Sequence, residues 1–235
     1  MTSTTDADTN PTQPGRLLAL GDIHGCSRAL AVLLERLQLG SADTLVSLGD
    51  IVDRGPDTKG CVDLLLQIRQ VCQLIVVQGN HEEMMLAALK NASAMDRWMA
   101  FGGREVIESY GGIENIPEEH LELIRNTRDF YETERVIFVH ANLQPGVPLF
   151  EQSVRWLRWE HLSGHERQRT CGRKIVCGHT ARKDGTPVAY DNWICIDTFA
   201  YGGGWLTCLD VNSGQLYQAR ETGEYQDSLN IAQFE

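Results

Sequence analysis

The stretch LVSLGDIVDRG, residues 45–55, decides the fold of this 235-residue chain. Its first part is a short apolar run, which is typical of a buried strand. Its second part places two aspartates, an arginine and two glycines directly after that strand. In open α/β sheets, ligands bind outside the carboxyl ends of the strands. The stretch therefore predicts a parallel strand that ends at a polar functional site.

Four further apolar runs also end at residues that bind metals or phosphates. The runs at residues 17–20, 74–77, 136–139 and 175–177 are followed by GDIHG (21–25), QGNHE (78–82), His140 and His179. Because the carboxyl ends of parallel strands lie along one edge of a sheet, we expect the five polar clusters to converge. The sequence thus predicts one site that is assembled from five separate segments.

The segments that follow the first three runs have the pattern of helices. Apolar residues recur at helical spacing in residues 27–39, and a second helix is expected from Asp57 or Thr58 to Ile68. Residues 82–90 are rich in Met, Leu and Ala, which favour a third helix. Strand, polar cluster and helix repeat three times, which indicates a parallel sheet of the α/β class.

The rest of the chain divides into a helical section and a strand-rich section. Residues 91–130 are interpreted as a helical insertion, with a mobile loop at residues 97–112. Beyond His140, strands are expected at residues 174–178, 187–190, 193–197, 204–210 and 214–219.

Composition limits the environment and the partners of the chain. We assign residues 16–220 to one domain, between a disordered tail at 1–15 and a C-terminal tail at 221–235. The first tail does not resemble a signal peptide and no apolar run could span a membrane, so we expect a cytoplasmic protein without a membrane partner. A formal net charge of −11 disfavours nucleic acid as a partner. The seven cysteines, which include no Cys-x-x-Cys pair, are expected to be free thiols.

The aspartate and histidine residues of the clusters suit transition metals. Asp22 and His24 are two residues apart, and an extended backbone would present both side chains on one face. A carboxylate oxygen beside an imidazole nitrogen favours Mn²⁺, Fe or Zn²⁺ over Ca²⁺. Asp50 could bridge two ions with its two oxygens. The second set of ligands would then comprise Asp50, Asn80, His140 and His179.

The charge of such a centre favours a phosphate ligand. Two divalent ions bring about four positive charges, of which Asp22 and Asp50 neutralise two. Two metal ions about 3.5–4 Å apart can lower the pKa of a bridging water and hold phosphoryl oxygens in line. Direct attack of the bridging hydroxide on phosphorus needs no covalent enzyme intermediate.

Further residues suit the other steps of phosphate ester hydrolysis. His81 is the expected general acid for the leaving alkoxide, and Asp53 is placed to orient its imidazole and keep it protonated. Arg54 is expected to contact the phosphate oxygens. A second cation would come from Arg155 or Arg158, between which spacing alone does not decide.

The ordered set of motifs resembles the phosphoprotein phosphatase family of calcineurin-like metallophosphoesterases, in particular its bacterial and phage branch of serine/threonine phosphatases. The matching motifs are GDIHG (21–25), GDIVDRG (49–55), GNHE (79–82), VHA (139–141) and GHT (178–180). The resemblance covers roughly residues 16–210. It implies an α/β fold in which two mixed β-sheets pack as a sandwich, with helices on the outer faces, in four layers.

The resemblance also implies the roles of the site residues. One metal ion would be held by Asp22, His24 and Asp50, and the other by Asp50, Asn80, His140 and His179. His81 and Asp53 would form the acid pair, and Arg54 would bind phosphate. RWLR (155–158) aligns with a Leu-Trp-Ile-Arg segment of the family, which makes Arg158 the second phosphate contact. The cofactors would be two divalent ions, with Mn²⁺ expected and Fe or Zn²⁺ as alternatives.

Two positions depart from the pattern of the family. Ala141 and Asn142 replace a frequent glycine pair, and Phe199 replaces the glycine that often follows Ile-Asp-Thr. Both departures lie near the expected mouth of the site. They bear on the shape of the substrate and not on metal binding.

The sequence therefore predicts a metal-dependent hydrolase of phosphate monoesters, which acts on phosphoserine and phosphothreonine in proteins, with phosphotyrosine as an extension. The alternative is a symmetrical diadenosine tetraphosphate hydrolase, which shares the scaffold and cleaves an anhydride. Chains that resemble that group tend to lack the acid at the Asp53 position and to have Asp after Gly-Asn-His. Asp53 and Glu82 therefore favour monoesters. A third hypothesis is a non-catalytic phospho-binding scaffold, but every expected catalytic group is present.

Residues outside the metal and phosphate motifs have structural interpretations. His120, His161 and His165 are expected on the surface, and the five tryptophans are expected in core or rim packing. Glu82 and Glu83 begin a helix, where acidic side chains suit the helix dipole. We expect Glu82 to hold the loop and not to bind a metal.

Overall fold

The five apolar runs identified in the sequence are all β-strands. The protein is described by a computed structural model that covers residues 15–166 and 172–234. Its strands are β1 (Leu17–Leu20), β2 (Thr44–Ser47), β3 (Gln73–Val76), β4 (Phe130–Glu132), β5 (Val136–Val139), β6 (Lys174–Cys177), β7 (Val188–Tyr190), β8 (Trp193–Cys195), β9 (Leu206–Asp210), β10 (Gln215–Ala219) and β11 (Tyr225–Asn230). The disordered tail expected at residues 1–15 lies, apart from Gly15, outside the described residues.

The helices expected after β1, β2 and β3 are also present. The α-helices of the described residues are α1 (Ser27–Leu37), α2 (Thr58–Ile68), α3 (Asn80–Lys90), α4 (Ala92–Trp98), α5 (Arg104–Tyr110), α6 (Glu118–Arg125) and α7 (Val154–Trp159). Asp57 caps α2, because its side chain accepts a hydrogen bond from the Gly60 N–H at 2.8 Å.

The strands form two mixed sheets. The six-stranded sheet has the order β11-β10-β9-β1-β2-β3, in which β1, β2 and β3 are parallel. The five-stranded sheet has the order β4-β5-β6-β8-β7, in which β5, β6 and β8 are parallel. β1 pairs with the antiparallel strand β9 in the first sheet, and β5 and β8 pair with the antiparallel strands β4 and β7 in the second.

The alternation of side chains along the strands divides the core into layers. In β1, Leu18 and Leu20 pack with the helices on the outer face, whereas Ala19 packs between the sheets. In β5, Phe138 packs between the sheets, whereas Ile137 belongs to a cluster on the opposite face, together with α7. The order of layers is therefore helices, sheet, sheet and helix, which confirms the predicted four-layer sandwich.

The section predicted as a helical insertion contains α4, α5 and α6. The expectation of a loop at residues 97–112 is wrong, because a π-helix at Met99–Gly103 joins α4 directly to α5. Gly102 lies at the kink with a φ of 113°, and its carbonyl accepts a hydrogen bond from the Arg54 N–H at 3.2 Å. A Cβ atom at this position would lie 2.6 Å from the Arg54 nitrogen. Glycine therefore lets the insertion contact the GDIVDRG loop.

The expectation of a C-terminal tail at residues 221–235 is wrong for residues 225–234. β11 pairs with β10, and a 3₁₀ helix at Ile231–Phe234 contacts β7 of the other sheet. Ile231 is only 4% exposed and packs between the sheets. This strand was not predicted because its sequence, YQDSLN, is polar. An edge strand with no fully buried side chain does not need an apolar run.

Two further expectations were that the cysteines are free thiols and that no segment spans a membrane. Six cysteines are buried and free, as expected: Cys26, Cys61, Cys72, Cys177, Cys195 and Cys208. Cys171 lies outside the described residues. Within the part of the chain that the structure describes, no helix has the length and hydropathy to cross a membrane.

Candidate functional site

The polar clusters lie together where the parallel strands of both sheets end. The Asp50 carboxylate, after β2, lies 3.4 Å from the imidazole of His140, after β5. Asn80 Oδ1, after β3, lies 3.0 Å from His140 Nε2 and 3.1 Å from His179 Nδ1, after β6. The structure thus joins residues that are separated by more than a hundred positions in the sequence at one site.

Asp50 occupies the centre of this cluster, and its two oxygens face different histidines. Oδ2 lies 3.4 Å from His24 Nε2, and Oδ1 lies 3.4 Å from His140 Nε2. The backbone N–H of His81 also donates to Oδ1, at 3.1 Å. Burial raises the pKa of Asp50, whereas the attraction to a neighbouring imidazole that carries a proton lowers it below its usual range. An ionised carboxylate with one oxygen on each side suits a ligand that bridges two ions.

Three imidazoles of the cluster are oriented by backbone carbonyls. His24 Nδ1 and His140 Nδ1 lie 2.9 Å and 2.8 Å from carbonyl oxygens, and His179 Nε2 lies 3.1 Å from another. Because a carbonyl only accepts, these nitrogens carry the proton, and the opposite ring nitrogens are left as acceptors. Burial lowers the pKa of all three rings, to about 3 for His179. Neutral, oriented imidazoles are the form that binds metal ions.

The donor atoms form two groups of the size that a metal ion needs. One atom each from His24, Asp50 and His81 lie within 4.8 Å of one another, and so do atoms from Asp50, His140 and His179. Asp50 belongs to both groups. Carboxylate oxygens with imidazole nitrogens suit Mn²⁺, Fe and Zn²⁺. The residues present therefore fit a pair of divalent ions that share Asp50.

Asp22 belongs to neither of these groups of described residues, and His81 appears in the first group where the sequence predicts Asp22. The Asp22 carboxylate accepts the His179 N–H at 3.1 Å and contacts the carboxyl group of Asp197. Burial and this carboxyl neighbour raise the pKa of Asp22 well above its ordinary value, and burial raises that of Asp197 to about 6. A cation beside the two groups would relieve their repulsion. Asp197 was not predicted as a site residue, although it follows the apolar run at residues 193–196 in the same way as the other clusters.

Several site residues other than glycine have left-handed backbones. They are His24 (φ 45°), Asp50 (49°), Asp53 (73°), Arg54 (69°) and His179 (63°). Each such conformation costs about 1–3 kcal/mol and persists only where the surroundings fix it. The extended backbone expected at His24 is therefore wrong. The chain turns there because GDIHG leads from β1 directly into α1.

Glu82 fixes the loop that carries Asp50. Its buried carboxylate accepts hydrogen bonds from the N–H groups of Asp50 at 2.8 Å, Ile51 at 2.7 Å, Val52 at 3.2 Å and Gly79 at 3.0 Å. Burial and the nearby Asp50 carboxylate raise the pKa of Glu82 to about 7. These contacts agree with the expectation that Glu82 holds the loop.

His81 and Asp53 form a buried pair next to the donor groups. His81 Nδ1 lies 2.6 Å from Asp53 Oδ2, and the Trp98 indole N–H donates to Asp53 Oδ1 at 2.8 Å. Burial lowers the pKa of His81, but the Asp50 and Asp53 carboxylates outweigh it and raise this pKa above its ordinary value. His81 Nε2 is buried without a hydrogen-bond partner among the described residues, 4.0 Å from Asp50 Oδ2. A protonated imidazole with one unused N–H can donate a proton to a bound ligand.

The cluster opens into a cleft of 430 Å³. The cleft is lined by Asp50, Arg54, Asn80, His81, Phe101, Trp159, His161, His179, Thr180, Ala181, Lys183 and Tyr201. The Arg54 guanidinium lies 4.7 Å over the ring of Tyr201, and its Nη1 lies 3.1 Å from His24 Nε2. Tyr201 and Lys183 were not predicted as site residues, because neither belongs to a motif that predicts chemistry.

Neither candidate for the second phosphate contact lines the cleft. Arg158 Nη1 lies 3.0 Å from Glu83 Oε2, and its Nη2 contacts Asp129. Arg155 is exposed and lies 3.6 Å from Glu160. Arg158 would have to exchange a carboxylate for the ligand in order to serve as the sequence predicts.

Of the histidines that were expected on the surface, two are exposed and one is buried, and Trp98 is buried as expected. His161 and His165 are exposed, as expected, although the His161 ring stacks on His179 at 4.5 Å. The surface position expected for His120 is wrong, because His120 is 1% exposed. Its ring nitrogens lie 2.9 Å from the Tyr110 hydroxyl and 3.1 Å from an Asp63 carboxylate oxygen, which satisfies both nitrogens inside the insertion. Trp98 is fully buried, as expected for core packing, but its contact with Asp53 was missed.

The comparison with known protein families gives the class of protein that this fold and site define. The Calcineurin-like phosphoesterase family matches residues 15–202. The chain therefore belongs to the calcineurin-like phosphoesterase family, whose members use two divalent metal ions.

Individual relatives match shorter parts of the chain. Serine/threonine-protein phosphatase 1 of Salmonella typhimurium (strain LT2) is 41% identical over 85 residues, 36% of this chain and 37% of the relative. The symmetrical bis(5'-nucleosyl)-tetraphosphatase of Pseudomonas putida (strain GB-1) is 39% identical over 92 residues, 39% of this chain and 31% of the relative. The matches thus span about a third of the length of these curated relatives.

A solved structure resembles almost the whole fold. The cold-active protein-tyrosine phosphatase of a psychrophilic Shewanella species superposes with a TM-score of 0.66. The sequences are 16% identical, and the match covers 92% of this chain and 81% of that one. This likeness shows that the two proteins share a fold.

Proposed function

We propose that this protein is a phosphatase that hydrolyses phosphate monoesters of serine and threonine in proteins, with phosphotyrosine as a further substrate. The observation that carries the proposal is the His81–Asp53 pair, with His81 Nε2 buried and unpartnered among the described residues. A serine or threonine leaves as a strongly basic alkoxide, which needs a proton from a general acid. A phosphoanhydride leaves as a weakly basic phosphate, which needs this help much less.

The metal ligands of the proposal are those that the sequence predicts. Asp22, His24 and Asp50 would hold one ion, with His81 adjacent, and Asp50, Asn80, His140 and His179 would hold the other. We propose Mn²⁺ for both positions, with Fe or Zn²⁺ as alternatives. When bound, two such ions lower the pKa of a bound water and neutralise phosphoryl oxygens.

The remaining residues of the proposal bind and orient the substrate. Arg54 offers a planar guanidinium that suits two phosphate oxygens at once. Arg158 is the proposed second contact, and it would exchange Glu83 for the phosphate. Asp53 keeps His81 protonated and fixes its ring, and Trp98 in turn fixes Asp53.

The partners proposed for this site are a phosphoprotein or a small phosphate ester. The acidic net charge disfavours nucleic acid. The cytoplasm is the proposed compartment, because the six buried free thiols suit a reducing environment.

The alternative function is symmetrical hydrolysis of diadenosine tetraphosphate. It is supported by the Pseudomonas relative, whose matched stretch is similar in length and identity to that of the Salmonella phosphatase. A cleft with aromatic side chains and the two cations Arg54 and Lys183 is also compatible with a nucleotide.

A panel of substrates tests the proposal against this alternative. Purified protein with Mn²⁺ is assayed against a phosphoserine peptide, a phosphotyrosine peptide, p-nitrophenyl phosphate and diadenosine tetraphosphate. We expect kcat/KM for the phosphoserine peptide to exceed that for diadenosine tetraphosphate. Efficient cleavage of the anhydride with negligible hydrolysis of the monoesters would overturn the proposal in favour of the alternative.

A further inference from the structure

Phe199 has a backbone conformation that its side chain disfavours. Its φ of 63° and ψ of 44° lie in the left-handed region, where a bulky residue is rare. The turn is fixed by hydrogen bonds: the Phe199 N–H donates to Asp197 Oδ1 at 3.1 Å, and its carbonyl accepts from Gly202 at 3.1 Å and Gly204 at 2.9 Å. Glycine could form the same turn without strain. The turn itself therefore does not account for the phenyl ring.

The phenyl ring belongs to a chain of edge-to-face ring contacts that leads to Arg54. The rings of Phe199 and Tyr201 lie 4.7 Å apart at an angle of 65°. The Tyr201 ring also contacts the Arg54 guanidinium, at 4.7 Å, and the His24 ring, at 4.9 Å. Gly202 leaves room for the Phe199 ring, because a Cβ atom there would lie 1.9 Å from a ring carbon. Phe199, in the space that Gly202 leaves, thus packs against the same ring that contacts Arg54.

We propose that Phe199 is a positioning residue that fixes Tyr201 against Arg54 and so presets the guanidinium for the phosphate group of the substrate. This inference rests on the proposed function, since it assigns Arg54 to that phosphate. A long arginine side chain that is ordered before binding loses less conformational freedom when the ligand arrives. The strained backbone of Phe199 thus costs some stability of the fold, and the ordered Arg54 guanidinium binds phosphate more tightly.

The test is Phe199→Gly in the full-length protein loaded with Mn²⁺. We expect KM for p-nitrophenyl phosphate and the calorimetric Kd for inorganic phosphate to rise together, about 3- to 10-fold, which is the range of one cation–π contact. The value of kcat should change less than about twofold, because ground-state and transition-state binding weaken alike. Tm should stay within about 4 °C, because glycine suits the left-handed backbone.

Three further variants separate positioning from a general structural role. Gly202→Ala should displace the Phe199 ring and reproduce the rise in KM and Kd. Tyr201→Leu removes the ring that contacts the Arg54 guanidinium and should also raise KM and Kd. Gln38→Gly is the matched control, because Gln38 is also left-handed, with a φ of 45°, but lies at the end of α1 away from the cleft.

Two outcomes would overturn the inference. One is a KM and a phosphate Kd within twofold of the wild type in Phe199→Gly. The other is a loss of kcat, bound metal and Tm at unchanged KM, which would assign Phe199 a structural role. Failure of the proposed function is distinguishable, because a wild-type protein that hydrolyses no monoester still yields the phosphate Kd of each variant.

Discussion

At the scale of single residues, the Gly49-Asp50 pair shows why the site needs this sequence. Gly49 has a φ of 97°, and a Cβ atom there would lie 2.5 Å from the Gly79 nitrogen. The two loops that carry Asp50 and Asn80 can therefore approach each other only with glycine at this position. Glu82 then holds both loops by accepting their N–H groups. Gly49 and Glu82 are thus needed for the close packing of the two loops, whereas Asp50 and Asn80 supply the donor atoms of the site.

His81→Asn tests the role of the proposed acid. Turnover of a phosphoserine peptide should fall about 10²- to 10⁴-fold, because the alkoxide then leaves without a proton. Turnover of p-nitrophenyl phosphate should fall less, since its leaving group is weakly basic. Metal content, measured by plasma mass spectrometry, should stay close to that of the wild type. Equal losses for both substrates would argue against His81 as the proton donor.

Glu82→Gln tests the support of the Asp50 loop. The amide keeps one acceptor oxygen for four N–H groups, so the loop should loosen without loss of a metal ligand. We expect the affinity for Mn²⁺ to fall about 10- to 100-fold, as for other groups that orient metal ligands. Glu119→Gln is the control, because Glu119 is an exposed residue in the first turn of α6. Calorimetric titration that finds equal affinities in both variants would refute this role.

Residue types predicted much of the site, and contacts from distant segments account for what was missed. Asp and His at strand ends predicted the donor cluster, because the chemistry and the location appear together in the sequence. Trp98 and Tyr201 were missed as site residues, since each reaches the site through the tertiary fold. Asp197 was missed although it follows an apolar run like the other clusters. Arg158 was predicted from a local alignment, which gives no information on Glu83 and Asp129, its partners in the structure.

At the scale of elements, the fold could be predicted because its parallel strands are short and are buried on both faces. β1 and β5 are continuous apolar runs, and β2 and β6 have apolar residues at their centres, because helices or the second sheet cover each face. The edge strand β11 lacks this signal, and the helices of the insertion are joined by a kink at Gly102 and not by a loop. Elements with one solvated face are therefore the ones that were not predicted from the sequence.

The start of the first sheet should lose stability in acid through Asp43. This carboxylate accepts hydrogen bonds from the Arg16 side chain at 2.6 Å and the Gly40 N–H at 3.0 Å, and the Arg16 side chain holds its pKa at about 2. Since this pKa lies below the unfolded value of about 4, the stabilisation is present above pH 4 and is lost as the pH falls towards 2. We expect a loss of about 1–2 kcal/mol in the free energy of unfolding.

The measurement for Asp43 is urea denaturation of the wild type and of Asp43→Asn between pH 2 and pH 7. The variant should be less stable at pH 7, and the difference should shrink towards pH 2. A difference that is constant over this range would contradict the ionic origin of the effect.

The C-terminal segment should be part of the folded core. Ile231→Ala removes a side chain that packs between the sheets and should lower the free energy of unfolding by about 2–5 kcal/mol. Ser228→Ala, at an exposed position of β11, is the control and should change stability by less than about 0.5 kcal/mol. Equal stabilities in chemical denaturation would restore the interpretation of this segment as a tail.

At the scale of the whole molecule, the site joins the two sheets. Asp50 and Asn80 follow strands of the six-stranded sheet, and His140 and His179 follow strands of the five-stranded sheet. Bound cations would therefore connect the sheets at the carboxyl ends of their parallel strands. They would also give an acidic chain a local positive charge, which an anionic phosphate requires.

The most direct test of this account is the number of Mn²⁺ ions that the folded, metal-depleted chain binds in a calorimetric titration. The geometry predicts two ions per chain for the wild type and weaker binding at one position for Asn80→Ala. It also predicts that Asp50→Ala, which removes the shared ligand, weakens both positions. A folded wild-type chain that binds no divalent ion, or an Asp50→Ala variant that binds two ions as tightly as the wild type, would contradict the account.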